Sequence, residues 1–135
     1  MRRASIVTAF ALGMALVGGP ASAVPYGDVA NGRFNASDAD TWGGGLNVYP
    51  SAASDVGNID SNTVNASAVG EVASGVTVNL SGTGKLQLSN QGAQTSGVID
   101  PGAVINIATG GTLMVGTRNT VNITSPIVLT GGTLG

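Results

Sequence analysis

The sequence predicts an all-β chain, an irregular parallel β-solenoid with an N-terminal capping segment. Three observations carry this expectation. Apolar and polar residues alternate with a period of two through Val76-Thr77-Val78-Asn79-Leu80 and again through Leu86-Gln87-Leu88, the pattern of strands buried on one face. The 135 residues include 22 glycines, 42% hydrophobic residues and only 9% charged ones. That composition opposes disorder and suits short strands joined by tight turns. Residues 74–90 also align without a gap on residues 101–117 at an offset of 27, placing Gly75 on Gly102, Asn79 on Asn106, Gly84 on Gly111 and Leu86 on Leu113. Matched strand–turn–strand units are the mark of stacking, in which each unit buries its apolar face against its neighbour. The alternative is a β-sandwich or jelly roll, whose core usually holds bulky aromatics. Residues 50–135 contain no aromatic side chain.

The first segment, residues 1–23, reads as a secretory signal peptide. Arg2 and Arg3 precede a 14-residue apolar run from Ala4 to Val17, Gly18-Gly19-Pro20 breaks it, and Ala21-Ser22-Ala23 forms a small-residue cleavage pattern. The run is short of the roughly 20 apolar residues that span a bilayer, so no membrane span is expected after cleavage and the chain is expected to be secreted or displayed on the cell surface.

The second segment, residues 24–54, is rich in Gly, Asn and Asp and holds Tyr26, Phe34, Trp42 and Tyr49. Two readings of these aromatics stand: a cap that shields the exposed edge of the first rung, or a stacking face for sugar rings, with Trp42 and Tyr49 as the candidate ligand-binding residues.

The third segment, residues 55–135, is the β-repeat array. A weak unit starts at Val64-Asn65-Ala66, and a further one at Val121-Asn122-Ile123 that reaches a second Thr-Gly-Gly-Thr-Leu at residues 130–134. Asn65, Asn79, Asn106 and Asn122 occupy equivalent places in these starts. They either form a stacked amide ladder or are solvated, since the alternation points them outward. The last unit stops at Gly135 with its strand begun. The array is therefore expected to be truncated at its C-terminal end, or to associate end to end through an uncapped rung.

The stretch Thr41 to Ser67, with Trp42, Gly43 to Gly45, Pro50 and Asp55 ahead of a first Val/Ile strand, resembles the opening of many bacterial secreted repeat proteins. The Gly-Gly-Thr-Leu units at Gly110 to Leu113 and Gly131 to Leu134 look like those of autotransporter passengers and autotransporter-associated β-strand repeat proteins. The resemblance implies a secreted or surface parallel β-helix used for adhesion or cell-surface structure.

The chemistry available is narrow. Histidine and cysteine are absent, which removes Ser-His-Asp and Cys-His machinery, disulfides and the usual transition-metal ligand sets. After cleavage three basic residues (Arg33, Lys85, Arg118) face seven acids (Asp28, Asp38, Asp40, Asp55, Asp60, Glu71, Asp100), a net charge of −4. Nucleic acid and anionic membranes are poor partners for such a surface. The Gly82-Thr83-Gly84-Lys85 stretch lacks the first glycine and the Ser or Thr of a phosphate loop. Asp38, Asp40 and Asp60, with Asn58 and Asn62 beside the last, form the candidate calcium set, against their ordinary use in turns. No other cofactor is expected. The expected function is a structural or adhesion-type module without catalytic activity, with surface glycans or other extracellular proteins as partners. The alternative is a carbohydrate-binding module, or a fragment of a polysaccharide-acting β-helix protein with Asp100 and Arg118 as its candidate residues.

Overall fold

Each alternating stretch of the sequence becomes a strand of four residues or fewer, because glycines and polar turns interrupt it before it can lengthen. The structure is a computed structural model and describes residues 22–89, 98–116, 123 and 125–135. Within them lie β1 (Pro25–Gly27), β2 (Gly32–Arg33), β3 (Val56–Ile59), β4 (Thr63–Ala66), β5 (Thr77–Leu80), β6 (Lys85–Leu88), β7 (Val104–Ile107), β8 (Thr112–Val115), β9 (Ile127–Leu129) and β10 (Thr133–Leu134), and no helix occurs among the described residues. The odd strands form one five-stranded sheet in the order β1-β3-β5-β7-β9, and the even strands form a second in the order β10-β8-β6-β4-β2. Every pairing in both sheets is parallel. The chain thus lays one strand in the first sheet and the next in the second, then returns one rung further along. This is the expected parallel β-solenoid, and the sandwich or jelly roll falls because those folds are built from antiparallel pairs. A short parallel bridge between Val72 and Ile99 extends the alignment into the return segments.

The interior is a set of aliphatic columns. Register places Val78, Ile105 and Ile127 in one, Ile59, Leu80, Ile107 and Leu129 in a second, and Val64, Leu86, Leu113 and Leu134 in a third. From Ile59 through Leu113 these side chains are fully buried wherever a rung lies on both sides. The 27-residue offset holds, with Thr77 on Val104 and Leu88 on Val115. The steps on either side are shorter: Val56 lies on Thr77 and Ile105 on Ile127.

One expected unit start falls elsewhere. Val64-Asn65-Ala66 is the second strand of its rung, and the first is Val56–Ile59. The misreading comes from matching Val-Asn-apolar triplets, which occur on both sheets. The start expected at Val121-Asn122-Ile123 lies mostly outside the described residues; in the first sheet the strand that pairs with β7 on that side is Ile127-Val128-Leu129.

The glycine of the Gly-Thr-Leu corner has a steric cause. A Cβ on Gly111 would lie 2.5 Å from the carbonyl of Leu80, one rung below. Gly84 and Gly132 stand at the same corner, over Ile59 and Ile107. Consecutive turns approach too closely for any side chain there.

The leading segment 24–54 does more than cap. It supplies β1 and β2, which pair with β3 and β4, and then folds its aromatics against the core. Phe34 and Trp42 meet edge to face with centroids 5.2 Å apart, and Tyr26 and Tyr49 pack edge-on at 6.5 Å from Trp42 and Phe34 respectively. The rung beneath is small where they sit: Gly57 stands in the column of Val78 and Ile105, and the Trp42 ring lies 3.2 Å from where a Gly57 Cβ would be. Residues 1–21, the bulk of the signal-like segment, lie outside the described residues.

Candidate functional site

The acids are the first place to seek chemistry, and four of them accept backbone N–H groups, Asp38 in the loop after β2 among them. Asp28, just after β1, accepts the N–H groups of Asp60, Ser61 and Asn62 at 3.0, 3.2 and 2.6 Å. Asn31 beside it accepts that of Thr63 at 2.6 Å. Burial works to raise the Asp28 carboxyl, but the three backbone donors and the Asn62 side chain together outweigh it and hold it below its ordinary value of 3.8. Asp55 is buried and accepts from Ser51 N–H and Ala52 N–H at 3.1 and 2.9 Å. Glu71, also buried, accepts from Ser67 N–H and Ala68 N–H at 2.8 Å each. It further accepts from Asn35 N–H at 3.3 Å and pairs with the Arg33 guanidinium at 3.2 Å, fastening the capping segment to the array. Sequence reasoning missed these anchors. Their signal was present: Ser-Ala-Ala-Ser-Asp at residues 51–55 and Ser-Ala-Val-Gly-Glu at residues 67–71 share one spacing, an acid closing a turn on the N–H groups three and four residues behind it.

The amide ladder exists, with a different first member. Asn79 donates to Asn58 and Asn106 donates to Asn79, each at 2.9 Å, on the outer face of the first sheet. Asn65 is not in it: it lies on the second sheet, in register with Gln87 and Arg33. Asn122 lies outside the described residues, and β9 presents Val128 opposite Asn106.

The candidate sugar-stacking residues are packing residues. Trp42 is only 5% exposed, and its indole N–H donates to the Phe34 carbonyl at 2.7 Å. Its faces are covered by its neighbours, so it offers no platform to a sugar ring. Tyr49 is half-buried against the same cluster. The candidate calcium residues are not gathered into one cage. Asp38 accepts the Arg33 N–H at 2.9 Å in the loop after β2, Asp40 is exposed two residues on, and Asp60 sits in the β3–β4 turn with its own N–H on Asp28. Asn58 is taken up by the ladder, where its amide oxygen accepts from the Asn79 side chain. Among the described residues no three acids come together as a metal-binding group. Asp100 uses its backbone: its N–H donates to Val72 and its carbonyl accepts from Ser125. Arg118 lies outside the described residues.

Among the described residues, a polar groove of about 530 Å³ opens on the outer face of the second sheet, lined by Arg33, Ser37, Asp38, Asn65, Ser67, Gln87 and Ser89. Arg33, Asn65 and Gln87 are in register on β2, β4 and β6, and exposed Met114 occupies the next place in that column. Ser67 and Ser89 follow two residues on, where the alternation returns to the same face. No protein-family model, curated protein or solved structure matches the chain.

Proposed function

We propose that this chain is a secreted or cell-surface β-solenoid module with a structural or adhesive role and no catalytic activity. The observation that supports it best is the commitment of the buried acids. Asp55 and Glu71 each close a turn through backbone N–H groups, so their carboxyl oxygens are engaged by the chain's own backbone rather than offered to a substrate. The apolar side chains go to stacking rungs, and the outer faces carry regular polar columns. That is the build of a scaffold that displays a surface. The leader of residues 1–23 supports placement outside the cytoplasm, and the likeness to autotransporter-type repeats points the same way.

The test has two arms. Residues 1–23 are fused to a reporter that is active only after export, and the N-terminus of the processed product is sequenced; activity with cleavage after Ala23 is expected, and a reporter retained in the cytoplasm overturns the location. Non-adherent cells displaying the chain are then scored for attachment to glycoprotein-coated surfaces. Attachment no greater than that of undecorated cells overturns the adhesive role.

A further inference from the structure

We propose that the groove across β2, β4 and β6 binds an uncharged polyhydroxylated ligand, a segment of a neutral glycan chain lying across successive rungs. The proposal rests on the surface-module reading above, since it names the partner class that such a surface would meet.

The argument begins with what the sheet imposes. Parallel pairing sets Arg33, Asn65 and Gln87 one strand apart, a spacing of about 4.8 Å. Ser67 and Ser89 form a second column on the same face, about 6.6 Å further along the strand direction. The groove is thus a small lattice of carboxamides and hydroxyls, each able to donate and to accept. A sugar chain presents the matching lattice, hydroxyls at short repeated intervals that are themselves both donors and acceptors.

Charge narrows the ligand. The one cation among the described residues lining the groove, Arg33, is already paired with the buried Glu71 at 3.2 Å, and the exposed Asp38 adds a negative charge to the lining. A phosphate, a uronate or a nucleic acid would find no uncommitted positive charge there and would face a carboxylate. An apolar ligand would find no apolar wall among the groove's lining residues. With no aromatic platform, affinity comes from hydrogen bonds alone, which places a single site in the weak, millimolar range. Avidity then comes from many copies of the module on one surface.

The experiment is an NMR titration of the full chain with three neutral hexasaccharides (cello-, malto- and mannohexaose) and with oligogalacturonate, following the side-chain amide signals of Asn65 and Gln87. The expected result is saturable shifts of both amides with at least one neutral hexasaccharide at millimolar concentration, and weaker shifts with the uronate. Asn65→Ala combined with Gln87→Ala should weaken that binding by about tenfold or more. Mapping on the unaltered chain decides the question even where the double variant fails to fold. The proposal is overturned by the absence of shifts with all three neutral probes, by shifts that map to another face, or by tighter binding of the uronate. A chain that is exported yet binds none of the probes leaves the surface-module reading standing and removes only the groove; a chain retained in the cytoplasm that still binds does the reverse.

Discussion

Asp28 joins the leading strand to the first full rung, because its carboxylate holds three consecutive N–H groups of the β3–β4 turn. Its carboxyl is held below 3.8, burial opposing and the backbone donors prevailing. A group whose folded value is lower than its unfolded one contributes stability that is complete above the unfolded value and disappears as pH falls through the folded value. Acid melting should therefore show a loss of stability below about pH 4 that Asp28→Asn removes, the variant and the unaltered chain converging at the lowest pH. At neutral pH the same substitution should cost about 1 kcal/mol, in line with other side-chain caps of backbone N–H groups; equal denaturation midpoints at pH 7 would refute the anchor. A second residue-scale expectation concerns Gly111. A side chain there meets the Leu80 carbonyl, so Gly111→Ala should lose about 2 kcal/mol or more. Gly27→Ala, with nothing within 4 Å of the added carbon, should stay within about 0.5 kcal/mol. Urea denaturation of the two variants side by side measures the contrast, and equal losses would show that the corner is not a point of close approach.

At the scale of the strand, the Asn58–Asn79–Asn106 ladder ties three rungs together on the outer face. Asn79 both donates and accepts within it, while Asn58 and Asn106 each make one contact to it. Asn79→Ala should therefore cost about 1–2 kcal/mol by breaking two bonds and leaving two half-buried amides short of partners. Asn58→Ala and Asn106→Ala should each cost about half that, and equal losses at all three positions would mean that the amides act independently. The ladder also shows how far the strands were legible. The alternation from Val76 to Leu88 and its 27-residue echo gave the strands, their inward faces and their pairing, because period two and a matched spacing are imposed by the stack itself. The first member of the ladder was misplaced onto Asn65, because the triplet Val-Asn-Ala of β4 resembles Val-Asn-Leu of β5 although they belong to different sheets. The acid anchors were missed for a different reason: Asp55 and Glu71 stand at one shared spacing from Ser51 and Ser67, but an acid that closes a turn on backbone N–H groups leaves no signature beyond that spacing. Trp42 illustrates the opposite case. Its type suited either a cap or a ligand platform, and the small residue at Gly57 that makes room for it decides the matter only once register is known.

At the scale of the whole molecule the two ends of the stack differ. The leading end is closed by strands of three and two residues and by the aromatic cluster of the capping segment. At the other end β9 and β10 are the outermost strands, and Val128, Leu129 and Leu134 are 45%, 55% and 56% exposed. Leu129 and Leu134 stand in columns whose other members, Leu80, Ile107, Leu86 and Leu113, are fully buried. Among the described residues no further rung covers this one, which carries core-type side chains and a row of strand edges together, the combination that invites association with another chain. Burying a fully exposed Leu side chain contributes about 1.5–3 kcal/mol; with little more than half of each still exposed, covering two in each copy supplies a few kcal/mol, which the paired strand edges must supplement to offset the cost of joining two molecules. Sedimentation velocity across a concentration series should show the chain moving from monomer to a larger species. Replacing both residues with lysine (Leu129→Lys, Leu134→Lys) should hold it monomeric, since two charges placed on each face would have to be desolvated and would repel their counterparts. Thermal unfolding of the double variant should shift little, because neither side chain is buried in the isolated molecule. A chain that remains monomeric at every concentration without the substitutions would show that the exposed rung does not associate with itself.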